Sequence, residues 1–212
     1  MTDLQNSKSK KRQFVTALTF GRAPLILLAA VSALCHSYRP ATGKLAAVIL
    51  LMALSALTDL FDGLLARRWE VVSRFGALAD PLMDKIFYVA TLPVAVFLAA
   101  RLGDWQHAAL LLVLDVVSML RDQWVSFLRS IGTLYGADVR ANWSGKLRTA
   151  LGFPVILAVY LYLGLAALGI EMAAVWHHLV LGAEVVLVVI TLLSAAIYSR
   201  DYWPHLRRSL ND

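Results

Sequence analysis

Cysteine is almost absent from this chain. Cys35 is the only one among 212 residues, which excludes an intrachain disulfide and any cysteine-rich metal site. Charge is also scarce, at 16% of residues against 59% hydrophobic, where a soluble domain carries roughly 25%. No apolar run shows the strict alternation of a lipid-facing barrel. No cleavable signal is apparent, because the N-terminus stays polar and basic until about Phe14. Five histidines, His36, His107, His177, His178 and His205, fall at segment ends or in the tail. Those places suit interfacial residues better than a histidine-ligated metal.

What remains is apolar and recurrent. A helix needs about 20 apolar residues to cross a bilayer. Six candidate spans fit: Ala23 to Ser37, Leu45 to Leu65, Pro81 to Ala100, Gln106 to Leu128, Thr149 to Leu168, and Ala174 to Tyr198. The reading is an all-α integral membrane protein of six transmembrane helices. Residues 1–212 form one membrane domain, and residues 1–20 form a basic cytoplasmic tail with a short N-terminal interfacial helix from Gln13 onward. With the N-terminus inside, only Arg39, Lys44 and Arg101 of the 20 lysines and arginines fall on the outer side. That bias places both termini in the cytoplasm of a cell whose inner membrane holds the protein.

Against this background one stretch carries most of the charge. Asp59, Asp62, Asp80 and Asp84 lie close together with Gly63, Ala66, Arg67 and Gly76. Ionisable groups at a membrane are costly and mark function. Carboxylates this close repel unless a cation holds them, and oxygen-only ligands suit Mg²⁺, Mn²⁺ or Ca²⁺ rather than zinc. On a helix, Asp59, Asp62, Gly63, Ala66 and Arg67 share one face, and Gly76, Asp80 and Asp84 form a second stripe. Arg67 offers a planar partner for phosphate. The bland alternative makes these acids helix caps, with Asp80 as N-cap and Pro81 as N1. The start of the third span is open between a helix capped by Ser73 and one that begins at Asp80.

The pattern D-x2-D-G-x2-A-R-x8-G-x3-D-x3-D runs unbroken from Asp59 to Asp84. It resembles the signature of the CDP-alcohol phosphatidyltransferases, membrane enzymes of phospholipid synthesis. The stretch from Thr16 to Arg22 is similar to the family's amino-terminal element, with Val15 where glycerophosphate-accepting members carry proline. The resemblance implies two Mg²⁺ or Mn²⁺ ions held by Asp59, Asp62, Asp80 and Asp84, with Asp84 also the general base. It implies a cytidine nucleotide against Gly63, Ala66, Arg67 and Gly76. The implied donor is CDP-diacylglycerol and the released product is CMP.

A second polar group follows. Arg121 and Asp122 end the fourth span, with Arg129 beyond. Arg140 and the run from Asn142 to Thr149, including Ser144, Gly145, Lys146 and Arg148, occupy the next segment. Interfacial arginines that fix topology are one reading, for Arg129 above all. The other is a phosphate pocket of Arg121, Arg140, Lys146 and Arg148 on the same side as the acids. These segments are similar to the branch of the family that accepts sn-glycerol 3-phosphate to give phosphatidylglycerophosphate, with Asp122 in place of Glu and Arg148 in place of Lys. An Arg-Asp pair is also similar to the cardiolipin synthases, which accept phosphatidylglycerol. Membrane lipids are implied partners, nucleic acid is not, and a homodimer agrees with the family's habit. Asp115 and Glu184, in mid-span, are read as hydrogen-bonding a neighbouring helix. A metal-ion transporter would place its acids nearer the midplane, and a scaffold would need none of this spacing.

Overall fold

The computed structural model describes residues 2–71, 73–136 and 142–211, with side chains for all of these except 2–5, 7, 74, 77, 78 and 80. Six helices follow one another: α1 (Thr2–Tyr38), α2 (Thr42–Arg68), α3 (Arg74–Arg101), α4 (Trp105–Leu134), α5 (Trp143–Ala167) and α6 (Ala174–Ser209). Five of them are long and apolar enough to cross a membrane: Lys8–Tyr38, Thr42–Arg68, Pro81–Arg101, Trp143–Ala167 and Ala174–Ser209. By helix length and composition this is a multi-pass membrane protein.

Two expectations change here. The short interfacial helix is not a separate element, because α1 runs from Thr2 to Tyr38 without a break. Lys8, Lys10, Lys11 and Arg12 have long stems and good helix propensity, so the basic tail extends the first span rather than lying apart from it. The fourth span, at 30 residues, has the length to cross but not the apolarity of the others. Its polar residues turn inward instead. His107, Asp115, Ser118 and Asp122 are buried beside Leu111, Leu114 and Val125, on one helical face.

Local signals fix the element starts. Ser73 accepts a hydrogen bond from the Gly76 amide at 3.0 Å, so α3 begins at Arg74 and passes through Pro81. Gly76, Asp80 and Asp84 therefore sit on one continuous helix. Asp104 caps α4 through the His107 amide at 3.1 Å, and Asn142 caps α5 through the Gly145 amide at 3.1 Å. Each cap satisfies a donor that the first helical turn leaves open.

The bundle packs α1 against α2 and α3, α4 against α3 and α6, and α5 against α6. Its interior is formed by Ile26, Ala29, Val48, Met52, Leu92, Ala95, Leu111, Leu114, Ile156, Leu163 and Leu187. Leu27, Leu28, Leu50, Leu112, Leu192 and Leu193 remain exposed, an apolar outer surface that water would not tolerate at this extent. Gly152 lets α3 approach α5, since a Cβ there would collide with the Tyr88 hydroxyl. Small residues at such crossings are the usual route to close helix contact in lipid.

Two histidines expected at the interface are interior. His36 bonds the Gly164 carbonyl at 3.0 Å through Nε2, and His107 is fully buried with Nε2 2.6 Å from Glu184 Oε1. Glu184 thus makes the interhelical bond expected of it. Asp115 is buried as well, yet its Oδ1 has no hydrogen-bond partner.

Candidate active site

Two helices deliver three carboxylates to one guanidinium on a third. Arg22 of α1 is buried, with Nη2 3.4 Å from Asp62 Oδ2 and Nη1 3.3 Å from Asp84 Oδ1. The same Nη2 is ion-paired with Asp59. Thr19, one turn earlier on α1, donates to Asp62 Oδ2 at 2.8 Å. Asp59 and Asp62 come from α2 at i and i+3, and Asp84 from α3, so the expected convergence of two helical faces occurs for these three acids. The Asp80 side chain lies outside the described residues. Three carboxylates against one guanidinium leave a net charge of minus two. The Asp59 and Asp84 side chains, 50% and 37% exposed, give the cluster an open side.

Two cavities flank the cluster. One of about 230 Å³ is lined by Thr16, Thr19, Asp62, Gly63, Ala66, Arg67, Ser73 and Gly76, among others. All four residues expected to touch a nucleotide line this single cleft. Arg67 is exposed there and donates Nε to the Gly63 carbonyl at 3.0 Å. The other cavity, of about 320 Å³, is bounded by Arg22, Asp59, Asp84, Tyr88, Thr149 and Phe153, among others.

The basic group borders this second cavity. Arg148 stacks 4.3 Å above the Tyr88 ring and reaches Asp122 at 3.1 and 3.2 Å. Arg121 also bonds Asp122, at 2.9 Å, and Ser194 at 2.7 Å. One carboxylate therefore serves two guanidinium groups. Gly145 admits this geometry, because a Cβ there would meet the Tyr198 hydroxyl at 3.0 Å and Arg121 at 3.4 Å. Lys146 is exposed, and Arg140 lies outside the described residues. Arg129, left open by the sequence between a topology anchor and a member of this group, donates to the Tyr198 hydroxyl at 2.9 Å.

Several residues here escaped sequence reasoning. Arg22 had a signal, as an arginine opening an apolar run, but nothing linked it to the acids some 40 residues away. Thr19, Tyr88, Ser194 and Tyr198 had no signal at all. Lys85, beside Asp84, turns away to donate to Ser126 at 2.7 Å.

The family model for CDP-alcohol phosphatidyltransferase matches residues 14–197, which include every residue named above in the two groups except Tyr198. The chain belongs to the CDP-alcohol phosphatidyltransferase family. Among curated relatives, it is 34% identical over 103 residues to the CDP-diacylglycerol–glycerol-3-phosphate 3-phosphatidyltransferase of Sodalis glossinidius, covering 47% of this chain and 52% of that one. The proteins of that name from Escherichia coli K12 and Shigella boydii are 30% identical over 115 residues, covering 53% of this chain and 59% of theirs. The chain spans about half the length of the curated relatives it matches. No solved structure matches it.

Proposed function

We propose that this family member transfers the phosphatidyl group of CDP-diacylglycerol to sn-glycerol 3-phosphate, forming phosphatidylglycerophosphate and CMP. The observation that carries the proposal is the adjacency of three parts: a nucleotide-sized cleft at Gly63, Ala66, Arg67 and Gly76, the acidic cluster, and an arginine-rich wall beyond Tyr88. The names of the relatives agree with it.

The acidic cluster fits divalent metal. Asp59, Asp62 and Asp84 already converge on a cation, the Arg22 guanidinium, and retain surplus negative charge. Their all-oxygen donor set suits Mg²⁺ or Mn²⁺, and these three with Asp80 would hold two such ions. When bound, the ions would neutralise charge on the pyrophosphate. Asp84 accepts the proton of the acceptor hydroxyl as its oxygen bonds to the phosphatidyl phosphorus. The bond from that phosphorus to CMP breaks, and CMP leaves with the electron pair. Gly63 and Ala66 give the cytidine room, while Arg67 meets a phosphate. Arg121, Arg148 and Lys146, with Arg140, orient the phosphate of the acceptor.

Six spans within a single domain, both termini in the cytoplasm and an inner-membrane location complete the proposal. The basis is the distribution of lysine and arginine. One observation favours a second reading. Asp122 offsets part of the charge of both Arg121 and Arg148, and a less cationic wall would suit phosphatidylglycerol, the acceptor of cardiolipin synthases.

Kinetics of Arg121→Gln and Lys146→Gln separate the two. A charge-assisted hydrogen bond is worth about 1.5–3 kcal/mol, so the KM for glycerol 3-phosphate should rise about 10- to 100-fold, with that for CDP-diacylglycerol little changed. Unchanged KM values in both variants would remove these residues from the acceptor site.

A further inference from the structure

At the far end of the bundle, about 25 Å along α3 from Asp84, lies a second group of metal-binding side chains. Asp104, His107 and His177 bring one ligand atom each within 4.8 Å of one another. Asp104 Oδ2 is 3.8 Å from His107 Nδ1 and 3.9 Å from His177 Nδ1. We propose that these three residues form a zinc site, unrelated to the acidic cluster, that ties the α3–α4 turn to the start of α6.

The His107 ring carries the argument. It is fully buried, and its Nε2 is committed to Glu184 at 2.6 Å. Its Nδ1 is buried with no hydrogen-bond partner among the described residues. That nitrogen is aimed at a carboxylate oxygen too distant for a hydrogen bond. Zinc bound tetrahedrally at 2.0–2.2 Å sets its ligand atoms about 3.3 Å apart, so the three side chains, whose ligand atoms lie within 4.8 Å of one another, would have to draw together on binding the ion.

The surrounding bonds support the assignment. A carboxylate behind a ligating histidine fixes the ring and raises its basicity, and Glu184 stands in that place. Asp104 uses its Oδ1 to cap α4 and keeps Oδ2 for the group. Tyr162 bonds the same His177 Nδ1 at 2.8 Å, a contact that ligation of the ion would replace. Asp104 and His177 are each 31% exposed, which leaves a path for the ion. Two imidazoles and one carboxylate favour zinc over Mg²⁺ or Ca²⁺.

The test uses the purified full-length protein in detergent with excess Mg²⁺, which occupies oxygen-only sites. Zn²⁺ is titrated against a competing chelator, and Co²⁺ is added separately for its visible spectrum. The wild type should bind one Zn²⁺, give the intense bands of tetrahedral Co²⁺, and melt at a higher temperature with Zn²⁺. His177→Gln and Asp104→Asn should each weaken binding more than tenfold, the asparagine still capping α4. Glu184→Gln should weaken it about 10- to 100-fold. His107→Gln disturbs the core, so the decision rests on the two half-exposed positions. Equal Zn²⁺ affinity in wild type and His177→Gln would overturn the proposal. So would complete displacement of Zn²⁺ by Mg²⁺, which would place the ion on the aspartates.

Discussion

Arg22 is the residue on which the acidic cluster turns. Its charge offsets the repulsion among Asp59, Asp62 and Asp84, all three of which it pairs with. Arg22→Gln removes a cation that competes for these carboxylates, so it should lower the metal concentration needed for half-maximal CMP release, measurable in a metal titration. Asp84→Asn removes the proposed base and should reduce turnover about 100- to 10,000-fold while CDP-diacylglycerol still binds, as equilibrium binding would report. The three acids were legible because helical spacing places them on stripes. Arg22 and Thr19 were not, because which faces of α1 and α2 meet is a tertiary fact. Arg129 was left open for a related reason: an arginine at a helix end looks the same whether it meets headgroups or, as here, a buried tyrosine.

At the level of elements, the caps decide what the active site can be. The sequence left the start of α3 open between Ser73 and Asp80. The Ser73 bond to the Gly76 amide settles it and frees Asp80 from capping duty. Ser73→Ala should cost about 1 kcal/mol of stability, read as a lower melting temperature, and should lower activity further by loosening the turn that carries Gly76. Ser73→Asp, an equally good cap, should restore both. The helical class and the approximate spans were plain from apolar run lengths. The continuous α1 was not, since a polar, basic stretch reads as a tail until packing on α2 extends it. The inward polar face of α4 was equally hidden, because burial there depends on partners such as Glu184 from α6.

For the whole molecule, the two ends of the bundle differ in chemistry. One end gathers oxygen ligands and arginines, and the other gathers histidines. The proposed orientation has the first end in the cytoplasm. In a Cys35→Ala background, cysteines at Thr2 and Asn211 should resist an impermeant thiol reagent in intact cells, while one at Thr42 should react; the reverse pattern would invert the orientation. The most direct test of the central claim is an acceptor screen with purified protein, CDP-diacylglycerol and Mg²⁺ or Mn²⁺, with products identified by mass. The account predicts phosphatidylglycerophosphate and CMP when glycerol 3-phosphate is supplied, and neither after chelation by EDTA. Cardiolipin from phosphatidylglycerol, with glycerol 3-phosphate left unused, would contradict it.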